Sequence, residues 1–172
     1  QDCGTGRIRY EEPGGVYSLK NLTRLSFEKS DNTAAHVLAK KIGMDKIQEM
    51  VNTWGLSQTN MEQNKTSAYD MGILFHKIYK GEVTSPELTK ELIGFMDDSL
   101  FEDRLPRLLP KDVKVYHKIG DEVGNVHDVG IIEHNGKAYF LAVLTDGQKD
   151  EEKARKAIAD ISKMVYDVQQ RK

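Results

Sequence analysis

Val113-Lys114-Val115-Tyr116-His117-Lys118-Ile119-Gly120 is the stretch at which the chain changes period. Val113, Val115 and His117 alternate with Lys114 and Tyr116, the two-residue repeat of a strand with unlike faces. Two more such runs follow, Val126 to Glu133 and Lys137 to Thr145, joined through His134-Asn135-Gly136. An Asn-Gly pair between apolar runs is the strongest short hairpin signal, because both residues of that turn need positive φ. The segment therefore predicts a three-stranded antiparallel sheet. Beyond it, Asp150 to Gln170 predicts one long amphipathic helix with a stripe of Ala154, Ala157, Ile158, Ile161, Met164, Val165 and Val168.

Upstream of residue 113 the period is helical. Apolar residues spaced by three and four predict a helix from Leu19 to Phe27. A second runs to Ile42 and stops at Gly43, a third covers Met44 to Trp54, and a fourth covers Ser67 to Lys80. Ser85 opens a fifth, with Pro86 at its first position, where the missing N–H costs nothing. Ser30-Asp31-Asn32 offers three candidate caps for the second helix. Gly4 to Gly6 and Glu12 to Gly15 are turn signals around a short extended piece from Arg7 to Tyr10. Residues 56–66 form a polar loop, and Pro106 and Pro110 bracket an irregular link. The expected fold class is α+β in a single, incomplete domain, 1–172. Residues 1–110 are mainly helical, and 111–172 hold the sheet and the C-terminal helix.

Composition narrows the function. A formal net charge of −2 offers no basic surface for nucleic acid or anionic lipid. No apolar run approaches the roughly 20 residues of a membrane-spanning helix, so no membrane segment is expected. Cys3 has no partner in the chain and lies beside a terminus, which makes it incidental rather than catalytic. His36, His76, His117, His127 and His134 lack metal-ligand spacing, and no glycine-rich loop suits a nucleotide. Neither metal nor cofactor is expected. The chain opens on Gln1 rather than methionine, as a piece of something longer would.

Ordered motifs carry the functional reading. Ser30-Asp31-Asn32-Thr33-Ala34-Ala35 precedes a helix, and Thr66-Ser67-Ala68-Tyr69-Asp70 opens a later one. Arg104-Leu105-Pro106 and Leu109-Pro110 lead into Val115-Tyr116-His117-Lys118-Ile119-Gly120. His127-Asp128-Val129-Gly130 follows on the next strand, and Ala142 to Thr145 on the last. In this order they resemble the catalytic domain of the class A β-lactamase-like, penicillin-recognising serine hydrolases, from just after the nucleophile helix to the end. The resemblance implies that Ser30 relays a proton to the leaving nitrogen. It implies that Asn32 orients the substrate, and that Lys118 supplies positive potential and holds the substrate carboxylate. Gly120 would let the substrate backbone approach the strand, and Asp121 would lend its N–H to an oxyanion hole. Asp31 would be structural, capping a helix that begins near Thr33. His117 and His127 would face one another across strands. Ser30 and Lys118 should converge on one cleft.

Three departures limit the resemblance. Ile119 stands where the family has a hydroxyl that binds the substrate carboxylate. The loop from Ser57 to Lys65 has a single carboxylate, Glu62, outside the family's Glu-x-x-Leu-Asn setting, so efficient β-lactam hydrolysis is not expected. The Ser-x-x-Lys nucleophile motif has no room upstream of Ser30. Ser26-Phe27-Glu28-Lys29 matches the string but abuts the motif it would have to face across a cleft. The resemblance thus implies part of an enzyme that acylates a serine with a β-lactam or a peptidoglycan-type peptide, outside the cytoplasm. The alternative is a non-catalytic binding module that kept the fold. The missing first strands would also leave the 137–145 strand free to pair with a second copy of the chain.

Overall fold

The computed structural model describes residues 5–171. Cys3, Gly4 and Gln1 lie outside the described residues. Five helices come first: α1 (Leu19–Glu28), α2 (Asn32–Ile42), α3 (Met44–Thr53), α4 (Ala68–Tyr79) and α5 (Pro86–Asp97). The strands β1 (Lys114–Glu122), β2 (Asn125–His134) and β3 (Lys137–Leu144) follow, and α6 (Glu151–Gln170) ends the chain. The α+β class and the element order agree with the sequence reading. Most helix starts are set by local side chains: Ser18, Asp31, Ser67, Ser85 and Asp150 each accept a backbone N–H three residues on. Asn135 and Gly136 take φ of 51° and 73°, the paired positive angles that an Asn-Gly hairpin turn uses.

The sheet is antiparallel in the order β1-β2-β3. The helix α6 covers one face, where Val115, Val126 and Ile132 meet Ala154, Ile158 and Tyr166. Helices α4 and α5 cover the other, where Tyr116, Val129 and Ile131 meet Phe75, Ile78 and Met96. A smaller cluster of Leu22, Leu25 and Ala34 joins α1 to α2.

Two local expectations are corrected. Arg7 to Tyr10 is not extended: Ile8–Tyr10 is a 3-10 turn. The Arg7 and Ile8 N–H groups both donate to Asp31 Oδ2, at 2.8 and 3.1 Å, which bends the segment around that carboxylate. The buried face of α6 is also rotated from the expected stripe. Ala154, Ile158, Ala159, Ser162 and Tyr166 are buried, while Ile161, Met164 and Val168 stay 40%, 69% and 51% exposed. Polar handles decide this: Ser162 Oγ donates to Leu105 O at 2.8 Å, and Tyr166 OH lies 3.1 Å from His134 Nδ1. Those bonds let a serine and a tyrosine enter the core in place of apolar residues.

Candidate active site

Ser30 is the middle residue of the three-residue joint between α1 and α2. Its φ of 48° is left-handed, unusual for a residue with a side chain. Neighbouring bonds hold that conformation. Thr5 Oγ1 donates to Ser30 O at 2.5 Å, and Asp31 N donates to Leu25 O at 3.2 Å. The fully buried Asp31 carboxylate accepts Ala34 N at 3.0 Å, besides the two N–H groups of the N-terminal turn. Asp31 therefore caps α2, as expected, and the helix begins at Asn32. Gly6 makes room for it: its φ is +114°, and a Cβ there would fall 2.4 Å from the Asp31 carboxyl carbon. Strain at Ser30 is thus over-determined by its surroundings, the condition under which strain persists.

Lys118, from β1, reaches this joint across 88 positions of sequence. Its Nζ donates to Ser30 Oγ at 2.7 Å and to Ile119 O at 2.6 Å. Burial pulls the Lys118 ammonium down to about 8. Asp128 and Asp121 oppose the fall, and Arg104 adds to it. A lysine poised near neutrality and hydrogen-bonded to a serine can pass a proton through that hydroxyl at little cost.

Strand alternation separates the other candidates. Tyr116, Lys118 and Gly120 share one face of β1, and His117, Ile119 and Asp121 share the other. Ile119 is buried, at 4% exposure, on the face away from Lys118. Asn32 is exposed at the start of α2, and its side chain makes no hydrogen bond to Ser30 or Lys118 among the described residues. Gly120 and Asp121 line a cavity of 530 Å³ at the end of the sheet, together with Asn64, Lys65, His127 and Thr145.

A buried charge network backs this strand. Arg104, 1% exposed, forks onto Asp121, with Nη1 to Oδ1 at 2.7 Å and Nη2 to Oδ2 at 2.6 Å. It also donates to His127 O at 2.9 Å and to Asp103 Oδ1 at 3.2 Å. His117 and Asp128, both fully buried, meet with Nδ1 2.8 Å from Oδ1. Asp128 Oδ2 also accepts Leu105 N at 3.1 Å. Glu102 Oε1 stands 3.8 Å from His117 Nε2, an ion-pair distance rather than a hydrogen bond. Burial works against the imidazolium, yet Asp128 and Glu102 raise it to about 9, so His117 is charged at neutral pH. Gly130 is the register partner of His117, and a Cβ there would lie 2.8 Å from the His117 Cβ. Only glycine leaves room for the His117 Cβ and the β1 backbone beside it.

The two histidines do not face each other. His117 pairs with Gly130 and His127 with Gly120, three residues apart along β1, so the rings point to opposite faces. His127 Nδ1 accepts Thr145 N at 3.1 Å. The Arg104–Asp121 and His117–Asp128 pairs were not read from the sequence. The one signal was Asp128, a carboxylate in register with the apolar Val126 and Ile132 on the inward face of β2. Ser26 lies on the last turn of α1 and Lys29 is its C-cap. Glu62 is exposed in the loop before α4. Among the described residues no group of His, Cys, Asp and Glu side chains could hold a metal ion.

Residues 1–169 match the family model described as "Beta-lactamase enzyme family". A β-lactamase of Bacteroides uniformis is 24% identical over 191 residues, covering 94% of this chain and 63% of that protein. The chain thus spans somewhat under two thirds of the length of that curated relative. A solved structure of PBP-A superposes with a TM-score of 0.90 at 26% identity, over 99% of this chain and 68% of that one. A variant of PBP-A, solved as its acyl-enzyme complex with penicillin G, gives 0.92 at 26% identity, over 99% and 69%. A class A β-lactamase of Bacteroides cellulosilyticus gives 0.86 at 25% identity, over 97% and 70%. A fold shared at this level and a family match over nearly every residue together place the chain in the beta-lactamase enzyme family, as a class A β-lactamase-like domain.

Proposed function

We propose that this chain supplies the proton-relay half of a serine acyl-transfer site for a β-lactam or a peptidoglycan-type peptide, with the nucleophile outside these 172 residues. The observation that carries the reading is the 2.7 Å bond from Lys118 Nζ to Ser30 Oγ. Acyl transfer from an amide or lactam needs a proton delivered to the leaving nitrogen. A hydroxyl held by a lysine of lowered pKa is equipped to deliver it. Asn32 and Gly120 would border the substrate, and the Asp121 N–H would face the developing oxyanion. The working place of such a protein is outside the cytoplasm, at the cell wall. No helix among the described residues is long and apolar enough to cross a membrane.

The test is intact-mass spectrometry after incubation with a fluorescent penicillin. This chain should carry no adduct. A longer protein that adds a nucleophile segment should carry one label per chain, on a serine upstream of Gln1. A stoichiometric adduct on Ser26, Ser30 or any other serine of this chain would overturn the proposal. A second reading, a binding module without chemistry, draws support from buried Ile119 and exposed Glu62. It requires that the longer protein also stay unlabelled.

We further propose that β3 takes another strand. Among the described residues it pairs with β2 alone. Yet Tyr139, Leu141 and Val143 pack toward α6, and Phe140, Ala142 and Leu144 pack toward α4 and α5. A strand apolar on both faces has the character of a sheet interior, and a bare apolar edge is a template for pairing. The exposed Ile161, Met164 and Val168 of α6 lie on the helix flank opposite the one that meets Leu105. The strand comes from a second copy through residues 137–145, or from residues outside this chain. Size exclusion with light scattering should show a species larger than the monomer. A compact monomer with a cooperative thermal transition contradicts the idea.

A further inference from the structure

We infer that Asp121 determines which acyl donors the cavity prefers: it fills the guanidinium fork of Arg104 with the chain's own carboxylate, so a ligand that brings a carboxylate to this end of the sheet binds more weakly than an uncharged one. The inference rests on the proposed reading of the cleft as an acyl-donor site.

The geometry is specific. A guanidinium fork matches a carboxylate with two parallel bonds, and both of Arg104's terminal nitrogens are spent on Asp121, at 2.7 and 2.6 Å. Its remaining donors go to His127 O and Asp103. With 1% of its side chain exposed, Arg104 has no face left for a ligand, whereas Asp121 is 28% exposed and lines the cavity beside Gly120. An incoming carboxylate therefore meets Asp121 first.

Neighbouring charges offer no compensation. His117 is paired with Asp128, and Lys118 spends its ammonium on Ser30 Oγ and Ile119 O. The position between Lys118 and Gly120 holds the buried, apolar Ile119, which has no donor to offer. Lys65 also lines the cavity, but Glu122 and Asp146 line it beside Asp121, so the lining carboxylates outnumber the lining cation and like-charge repulsion remains. A neutral group avoids it.

The test is a proton–nitrogen NMR titration of the 172-residue chain with benzylpenicillin and with its methyl ester, which differ in that one charge. The readout is the shift of the Gly120 and Thr145 amides. The wild-type chain should bind the ester at least about tenfold more tightly than the acid. Asp121→Asn and Asp121→Ser should each reverse the preference toward the acid. If the wild-type chain binds acid and ester alike, or both variants keep the wild-type ratio, the inference fails while the ligand class stands. If neither compound moves either amide in any of the proteins, the inference and the proposed function fall together. The wild-type comparison needs no substitution, so a variant that does not fold leaves the test intact.

Discussion

In the longer protein proposed above, which joins this chain to a nucleophile segment, replacing Lys118 with methionine should slow acylation by a β-lactam about 100- to 10,000-fold, the range that a positioned proton-transfer group contributes. Methionine keeps most of the length of the side chain and loses the ammonium. Ser30 then loses the bond of 2.7 Å that aims its hydroxyl. The backbone at Ser30 should not move, because Thr5, Leu25 and Asp31 hold it independently of Lys118. The deficit should therefore appear in the acylation rate, with binding of the uncharged ligand changed far less. Stopped-flow acylation at several ligand concentrations separates the two. A loss confined to binding would place Lys118 in ligand affinity and take it out of proton transfer.

The second large effect is on stability against pH, and two buried cations pull it in opposite directions. His117 is raised from 6.5 to about 9 in the fold. The stability that this contributes is complete below pH 6.5 and is lost as the pH climbs through 9. Lys118 is lowered from 10.5 to about 8. Folding therefore pays to keep it protonated below pH 8, and that cost disappears between 8 and 10.5. Between pH 6.5 and 8 the histidine acts alone, and stability should fall by about 2 kcal/mol, from 1.36 kcal/mol for each unit of pKa difference. From 8 to 9 the two trends cancel, and above 9 stability should recover. Urea unfolding from pH 6 to 10 should show a minimum near 8 to 9. Asp128→Asn should flatten the falling limb, and Lys118→Met the rising one. A curve without the falling limb would mean that His117 is not held as the cation in the fold, and one without the rising limb that Lys118 is not held below its ordinary value.

Most of the secondary structure was legible because the signals are local. Serine and aspartate caps, Pro86, the stop at Gly43 and the Asn135-Gly136 turn act within a few residues of themselves. The convergence of Ser30 and Lys118 was legible from the order of the motifs, a family pattern rather than a local signal. What was missed depends on distant partners. The turn at Ile8–Tyr10 is bent by Asp31, more than 20 positions away. The buried face of α6 is chosen by hydrogen bonds from Ser162 and Tyr166 to residues 57 and 32 positions upstream. The Arg104–Asp121 pair crosses from the irregular link to β1, and nothing in the spacing of those residues announces it. His117 and His127 were misplaced because spacing along one strand says nothing of the register that sets which face each ring takes.

In the proposed relay Ser30 and Lys118 act as one device, and a double-mutant cycle measures that directly. Acylation rates are needed for the nucleophile-bearing protein, for Ser30→Ala, for Lys118→Met and for both together. If the lysine works through the serine, each single change should cost about 100-fold or more, and the pair should cost scarcely more than the worse single change. Losses that multiply would show two independent contributions. A Ser30→Ala protein that acylates at the unaltered rate would contradict the proton relay outright.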